Sequence, residues 1–198
     1  MNSTEICNLA LSYLGQGRIN SIEDGAEEAR KCKAHYDHDR RRLLLSYPWG
    51  FARRIEKLAA YDVHIPGWQY VYAYPAQCIA VTFVYDEGHA RVKEENRQDF
   101  EIVTFGGGRR GIASDTANAY AEYTEDVKDP GAFSEEFIEA LSHLIAASIS
   151  MGVTGNANIV AQHMQLAQAA IESAKYYAVL EKEKRTRYPE KYSNARFC

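Results

Sequence analysis

Apolar positions follow a helical period at both ends of the chain and an alternating period in the middle. Over residues 3–14 they recur every three or four positions, and Gly15 follows as a C-terminal stop. Asn2 and Glu5 have the spacing of a capping box, in which each side chain bonds the backbone N–H of the other residue. The pattern therefore predicts a first helix that begins just after Asn2.

A second helix is predicted from the region of Asp24, an N-cap candidate, to about Leu45. Glu27 and Glu28 would lie in its first turn, where carboxylates interact favourably with the positive end of the helix dipole. Tyr47 precedes a proline and is driven out of the α region, so the helix should stop there. The predicted buried stripe comprises Ala29, Cys32, Tyr36, Leu43 and Tyr47.

After residue 51 the period changes to two, which is typical of β-strands. Three segments have strand-like composition, namely 78–85, 101–105 and, more weakly, 119–123. Residues 86–89 read DEGH and are predicted to form a turn. A fourth segment, WQYVYAY, places aromatic side chains on alternate positions: Trp68, Tyr70, Tyr72 and Tyr74.

Helical spacing returns after residue 133. Phe133, the N-cap candidate Ser134 and Ile138 have the spacing of a hydrophobic staple, and Gly152 is the predicted stop of this third helix. Its predicted buried stripe comprises Phe137, Leu141, Leu144, Ile145 and Ile149. From about Asn156 a longer helix is predicted, with a packing seam made of Val160, Met164, Ala167, Ile171, Ala174 and Ala178.

The order helix, helix, strands, helix, helix predicts an α+β fold, in which both chain ends build a helical bundle around an inserted antiparallel β lobe. We assign residues 1–48 and 130–184 to the bundle, 49–129 to the β lobe and 185–198 to an extended arm. A packed joint is predicted where the chain first crosses between the lobes, because a proline ends the helix, a glycine permits a bend and two rings can dock around it. The joint comprises Pro48, Trp49, Gly50 and Phe51.

Composition restricts the class of protein. With 46% hydrophobic and 25% charged residues, the 198-residue chain has the balance of a folded globular protein, and its net charge of −4 disfavours a main task of gripping phosphate backbones. Its cysteines are widely spaced and are interpreted as reduced thiols: Cys7, Cys32, Cys78 and Cys198. The N-terminus lacks the basic region of a signal peptide, and no segment approaches a membrane span in length. We therefore expect synthesis in a cytoplasm and no membrane.

Residues 106–111 read GGGRRG and fit the dinucleotide-binding motif G-x-G-x-x-G. That motif needs a helix that begins at its last glycine, whereas residues 112–126 have no amphipathic helical pattern. We therefore interpret the segment as a flexible hairpin loop with Arg109 and Arg110 at its tip, and no cofactor is expected.

Cys32, His35, His38 and Asp39 lie close together on the second predicted helix and could in principle hold a metal. Residues spaced by three rotate progressively around a helix, so the third ligand would not face the same side as the first, and no second cluster accompanies the set. A polar helix face is therefore favoured, and no metal is expected. No nucleophile motif is visible, and no catalytic residue is predicted. The alternating aromatic residues could stack on bases, but no Lys or Arg occurs over residues 58–90, so a half-buried sheet face is favoured.

The last residues, RTRYPEKYSNARFC, combine basic and aromatic side chains without helical or strand periodicity. A frayed terminus is the alternative interpretation, but arginine and aromatic residues are enriched in protein interfaces. We therefore predict that residues 185–198 form a docking arm. Its partner-binding residues are predicted to be Arg185, Arg187, Tyr188, Tyr192, Arg196 and Phe197.

Several segments, in order along the chain, resemble the head-to-tail adaptor proteins of short-tailed bacteriophages, the tail tubular protein A family. The matching pieces are ICNLALSYLGQGRI, SYPWGFARR, WQYVYAYPAQCIAV, the stretch from GIASDTANAYAEY through SHLIAASIS, and AIESAKYYAVLEKE. The third piece resembles the family's segment W-x-Y-x-Y-x-x-P-A-x-C, and the weakest match lies over residues 86–110.

The resemblance implies a non-enzymatic virion protein of the tail, at the head–tail junction, assembled in the host cytoplasm. It also implies a homo-oligomeric ring, a dodecamer in relatives, that binds the portal protein, receives the tail nozzle protein and leaves a channel for DNA. The acidic balance fits passage of DNA without specific binding, since phosphate binding depends on cationic side chains. The alternatives are a small DNA-binding module and, less favoured, a nucleotide-dependent enzyme that uses residues 106–111.

Overall fold

The computed structural model describes residues 1–87 and 96–180 and shows an α+β fold. The two chain ends form the helices α1 (Ser3–Tyr13), α2 (Glu27–Ser46), α3 (Glu135–Thr154) and α4 (Ala157–Leu180). The middle forms the strands β1 (Arg53–Lys57), β2 (Ala60–Tyr61), β3 (Tyr70–Ala73), β4 (Cys78–Tyr85), β5 (Phe100–Phe105), β6 (Arg109–Ser114) and β7 (Tyr120–Glu125). This confirms the predicted fold class, a helical bundle built from both chain ends with an inserted antiparallel β lobe.

Helix α3 lies at the centre of the bundle and packs against α1, α2 and α4. Its predicted stripe is buried, and small side chains on its other faces, such as Ala146 and Ser150, are buried as well. Because three helices surround α3, it is apolar around most of its circumference. The bundle is therefore organised around one enclosed helix.

The same enclosure corrects an expectation about membranes. By length and composition alone, and within the described residues, α3 is long and apolar enough to cross a membrane. The expectation that no segment approaches a span in length was therefore wrong. A helix enclosed by other helices has the apolar composition of one enclosed by lipid, and most of α3 is buried inside the protein.

Local chemistry sets the helix starts that were predicted correctly. Asn2 and Glu5 form the capping box of α1, with the Glu5 N–H donating to the Asn2 Oδ1 at 2.9 Å. Ser134 is the N-cap of α3, and its Oγ accepts a hydrogen bond from the Phe137 N–H at 3.3 Å. Both caps satisfy backbone N–H groups that have no partner inside the helix.

Two other predicted helix ends were wrong. Asp24 does not cap α2, because its carboxylate accepts the Ser21 N–H at 2.9 Å in the preceding turn, and the helix begins three residues later at Glu27. Helix α3 runs through Gly152 and is closed by Gly155, whose φ of 65° provides the left-handed C-cap. At the start of α2 the N-cap is Ala26, which makes no side-chain capping bond.

Helix α4 turns a slightly different face to α3 than its apolar pattern predicted. Ala167, Ala174 and Ala178 are buried as expected, whereas Met164 is 43% exposed and its neighbour His163 is buried instead. Small alanines at this interface let the two helices approach closely.

The strands form two antiparallel sheets, with the orders β1-β7-β4 and β2-β3-β6-β5. The strands predicted at 78–85, 101–105 and 119–123 are confirmed as β4, β5 and β7, with ends shifted by up to two residues. The predicted turn at 86–89 lies partly outside the described residues. The core of the β lobe comprises Leu58, Tyr72, Val84, Ile112, Ala119, Ala121 and Tyr123.

Candidate functional site at the junction of the lobes

The chain crosses from the bundle to the β lobe at Pro48. Of the predicted joint residues, Trp49 is buried and Phe51 is half-buried, whereas Pro48 and Gly50 are exposed. Tyr47 has extended backbone angles (φ −159°, ψ 148°), which its position before a proline favours. A short 3₁₀ turn, Gly50–Ala52, then leads directly into β1. The Trp49 ring is only 2% exposed, and its Nε1 donates a hydrogen bond to the Leu43 carbonyl at 2.8 Å.

Four aromatic rings join the two crossings between the lobes. Trp49 and Phe51, on the first crossing, both meet Phe137 of α3 edge-on, with ring centroids 5.1 Å and 5.0 Å away. Phe133, on the second crossing, lies 5.6 Å from Phe51 and 4.8 Å from Phe137. Edge-to-face pairs of this kind contribute about 0.5–1.5 kcal/mol each beyond the area they bury. The two crossings therefore stabilise each other through one aromatic cluster.

Gly50 does not have the special backbone angle that the sequence pattern suggested. It is absent from the glycines with positive φ, and a Cβ added there would meet no described atom within 4 Å. The bend is made by the 3₁₀ turn and by the proline before it, so a glycine is not required for this bend. That part of the prediction was wrong.

A buried arginine ties the bundle to the end of the β lobe. The Arg40 side chain, on α2, is 1% exposed, and its Nη1 donates to the Asp126 carboxylate and to the Val127 carbonyl, both at 2.6 Å. Its Nε and Nη2 donate to Asp37 at 3.2 Å and 3.1 Å. A buried cation needs compensation of this quality, since an unpaired one would be strongly destabilising.

The Arg40 contact was missed from the sequence, although a signal was present. Arg40 lies four positions after Tyr36 and three before Leu43, so it occupies the buried stripe of α2. A charged residue on a buried stripe requires a partner elsewhere in the chain. The sequence could not show that this partner is Asp126, because the two residues are distant along the chain and meet only in the fold.

A cleft of about 460 Å³ lies beside this ion pair, along the second crossing and the end of the β lobe. Its charged lining comprises Arg54, Glu125, Asp126, Lys128 and Asp129. Arg54 is engaged by Glu125, with its Nη2 2.6 Å from the Glu125 Oε2. Among the described residues that line the cleft none is a serine, cysteine or histidine. Of the three carboxylates in the lining, Glu125 and Asp126 are paired with arginines.

The glycine-rich segment forms the turn of the β5–β6 hairpin. Gly107 and Gly108 have φ values of 76° and 79°, which L residues with side chains rarely adopt. Only Arg109 lies next to the tip, where its Nε donates to the Gly106 carbonyl at 3.1 Å. Arg110 lies within β6 and its guanidinium carbon is 4.1 Å from the centroid of the Tyr74 ring, so its predicted place at the loop tip was wrong.

Gly111, the last glycine of the dinucleotide-like motif, lies where packing leaves no room for a side chain. It lies within β6, where a Cβ would be 2.7 Å from Cε1 of Phe105 and 3.0 Å from the Tyr72 carbonyl oxygen. A dinucleotide site would instead begin a helix at this residue. The pattern G-x-G-x-x-G here results from a tight hairpin followed by a close approach of strands.

The possible metal ligands on α2 point to different environments. Cys32 and Asp39 are buried, whereas His38 is exposed and His35 is partly exposed. Within the described residues, no group of three or more His, Cys, Asp or Glu side chains could hold a metal. Burial raises the pKa of the Asp39 carboxyl, although a hydrogen bond from Ser148 opposes that shift.

The cysteines in the described part of the chain, Cys7, Cys32 and Cys78, are free thiols, and Cys198 lies outside it. Cys7 on α1 contacts Cys32 on α2 inside the bundle core, and this contact, together with burial, raises the pKa of the Cys7 thiol. A protonated thiol is a poor nucleophile and behaves as a small apolar group. The Cys7 thiol therefore acts in packing, whereas the hydrogen bond with Cys7 lowers the pKa of the Cys32 thiol.

The four alternating aromatic residues do not form one surface. Tyr72 is buried in the core of the β lobe, where its hydroxyl donates to the Thr116 carbonyl and accepts the Ala119 N–H at 3.4 Å. Tyr70 is exposed, and Trp68 lies before β3 with its Nε1 donating to Glu101 at 3.1 Å. β3 lacks the alternating burial of a half-buried strand, because Val71 and Tyr72 are both buried while Tyr70 is exposed. The exposure of these aromatic residues therefore depends on their position along the strand and not on one face of the sheet.

The predicted docking arm, residues 185–198, lies outside the described residues. The same holds for each of its predicted partner-binding residues: Arg185, Arg187, Tyr188, Tyr192, Arg196 and Phe197. A scan of protein-family models finds no match to the chain, and a search of curated proteins likewise finds none.

Proposed function

We propose that this protein is a structural virion component, a head-to-tail adaptor that forms a ring between the portal and the tail nozzle and leaves a channel for DNA. The observation that carries the proposal is that SYPWGFARR, a segment of the family resemblance, builds the packed crossing between the lobes. An adaptor must hold two different partners at a fixed separation. Two lobes joined by an aromatic cluster and a buried ion pair suit that task, because each lobe offers its own surface.

The charge pattern at the junction favours an adaptor over a DNA-binding module. Arg53 and Arg54 of β1 each place a guanidinium nitrogen 2.6 Å from a carboxylate oxygen, of Glu122 and Glu125 respectively. Arg40 is buried with Asp126. Cations that are neutralised within the protein contribute little to phosphate binding, so DNA can pass without specific contacts.

The hairpin geometry disfavours the nucleotide-dependent enzyme. The glycine-rich segment of such an enzyme wraps phosphates at the N-terminus of a helix. Here residues 106–108 close a β-hairpin, and β6 follows. We therefore propose a protein without catalytic activity and without a cofactor.

The experiment that tests the adaptor proposal is reconstitution with the portal and tail nozzle proteins of the same phage. The purified full-length protein should assemble on portals as a closed ring, visible by electron microscopy, and the nozzle protein should bind only after the ring has formed. A protein that never binds portals, or that binds DNA tightly with strong dependence on salt, would contradict the proposal.

The arm provides a sharper version of this experiment. Arg187→Glu with Tyr192→Ala should abolish most portal binding, because arginine and tyrosine residues dominate the energy of protein interfaces. The matched control is Arg30→Glu with Tyr176→Ala, which makes the same changes at two exposed positions of the helices. Equal portal occupancy by both variants would show that the docking surface lies elsewhere, even if the adaptor function stands.

A further inference from the structure

An apolar groove runs across the end of the bundle where α4 ends. Two adjoining cavities, of about 640 Å³ and 410 Å³, share Met1, Leu9 and Glu135 and form one continuous surface, which we call the terminal groove. Its apolar lining comprises Met1, Leu9, Tyr13, Ile138 and Tyr177. Met1 and Tyr177 are 52% and 49% exposed. Large apolar side chains left in water are typical of a surface that is covered by a partner.

The rim of the terminal groove is acidic. Glu135, Glu136 and Glu139 lie along one side, and none of them forms an ion pair with a cation in the described part of the chain. Arg18 is the cation at the far end of the groove. Glu135 and Glu136 interact favourably with the start of α3, but Glu139 lies beyond the first turn and gains nothing from the helix dipole. The groove therefore suits an occupant with basic and aromatic side chains.

The segment of this chain that follows α4 beside the terminal groove contains basic and aromatic side chains. The described part of α4 runs to Leu180, just beyond Tyr177 in the groove lining, and residues 181–184 connect it to the arm 185–198. Apart from Glu190, the charged side chains of the arm are basic: Arg185, Arg187, Lys191 and Arg196. Its aromatic side chains are Tyr188, Tyr192 and Phe197. Charge and apolar character are both complementary to the terminal groove.

We propose that residues 185–198 dock in the terminal groove of their own chain, with aromatic rings on the apolar lining and arginines on the glutamate rim. Only residues 181–184 separate the arm from the described part of α4. A link this short gives the arm a local concentration on the order of millimolar, so docking within one chain is favoured over docking on a second copy. Reach is sufficient, because an extended chain spans about 3.3 Å per residue.

This inference goes beyond the adaptor proposal and does not depend on it, since docking within one chain needs no portal. Where the protein acts as an adaptor, the portal must displace the arm from the groove before the arm can bind. The free protein then holds its docking residues covered, which keeps exposed aromatic residues from causing association in solution.

Cys198, the last residue, makes the proposal testable by disulfide trapping in the full-length protein. Glu139→Cys places a thiol on the groove rim, and Gln162→Cys places one on an exposed position in the first half of α4, away from the groove. Under mild oxidation with oxidised glutathione, the bond from residue 139 to Cys198 should form at least about tenfold faster than the control bond. Mass spectrometry of tryptic peptides from the monomer would identify each bond.

Charge reversal tests whether the trapped state is specific. Arg187→Glu should slow trapping at residue 139, and adding Glu136→Lys should restore it, because the reversed pair attracts again. Equal trapping at the two thiol positions would overturn the proposal. Trapping that appears only between chains, and rises with protein concentration, would show that the groove belongs to a neighbouring copy. Portal binding plays no part in these outcomes, so they are independent of the adaptor proposal.

Discussion

The helical bundle and the β lobe are stabilised by different means. The bundle has a large core that α3 organises, with fully buried side chains such as Leu141, Leu144 and Ile145. The β lobe has a much smaller core and relies more on surface contacts, including the Arg53–Glu122 ion pair and the stacking of Arg110 on Tyr74. Hydrophobic stabilisation scales with the apolar area that is buried, so most of the folding free energy should come from the bundle.

The junction belongs to the stronger half. Trp49, Ala52 and Val127 are members of the bundle core although the sequence pattern placed them in the β lobe. Both connections of the β lobe therefore contain residues that are buried in the bundle core. A lobe with a small core can thus be anchored to the protein when residues of its two connections are buried in the core of the bundle.

Trp49→Ala should have the largest effect, a loss of about 3–5 kcal/mol in the free energy of unfolding, because it removes a fully buried ring from the bundle core. Chemical denaturation followed by circular dichroism would measure it. Ile55→Ala, which removes a 48% exposed side chain from β1, should cost less than about 0.5 kcal/mol. If both variants unfold at the same denaturant concentration as the wild type, the junction does not stabilise the protein.

Arg40→Met should cost roughly 3 kcal/mol, since it leaves the Asp126 carboxylate without its buried cation. The neighbouring change Arg41→Met is the control, because the Arg41 side chain is 55% exposed and lies 3.7 Å from the same carboxylate. In a double-mutant cycle, adding Asp126→Asn to Arg40→Met should cost much less than it does in the wild type. Additive costs would contradict the coupling.

The sequence carried enough information for the fold class and for most elements. Periodicity located the four helices of the described residues, and a β-branched and aromatic composition located strands such as β4, because both signals depend only on neighbours in the chain. The contacts that matter at the junction could not be predicted in this way. Arg40 and Asp126 are brought together only by the fold. On α4, His163 is buried in place of Met164, because α3 approaches from a slightly different side than the predicted seam indicates.

Gly111→Ala should destabilise the β lobe by about 1–3 kcal/mol, since the added methyl group would overlap Phe105 and press on the Tyr72 carbonyl. Gly106→Ala is the matched control from the same motif. Its nearest contact would be 3.5 Å from the Arg109 guanidinium, and it should leave stability nearly unchanged. Hydrogen exchange resolved by mass spectrometry should localise the loss to the β lobe and leave the bundle protected. Equal loss in the two lobes would mean that they unfold as one unit.

The smallest predicted effect concerns acid and lies in the bundle. His143 on α3 stacks on Tyr13 of α1, with ring centroids 4.2 Å apart and an angle of 8° between the planes. Its Nδ1 is buried without a hydrogen-bond partner in the described part of the chain. Burial lowers the pKa of His143 below its ordinary value of 6.5, with His163 adding to the shift and Glu139 opposing it.

A depressed histidine pKa makes the folded state sensitive to acid. Above about pH 6.5, His143 is mostly uncharged in both the folded and the unfolded protein, so its protonation does not reduce the free energy of unfolding. As the pH falls below that value, the unfolded chain binds a proton more readily than the folded one, and stability declines toward the folded pKa. The melting temperature should therefore fall between about pH 7 and pH 5, and His143→Gln should flatten that part of the profile. His38→Gln, at an exposed position on α2, should leave the profile unchanged. If the melting temperature of His143→Gln still falls with the same slope between about pH 7 and pH 5, the acid sensitivity comes from another group. Protonation of His143 would then not weaken the interface between α1 and α3.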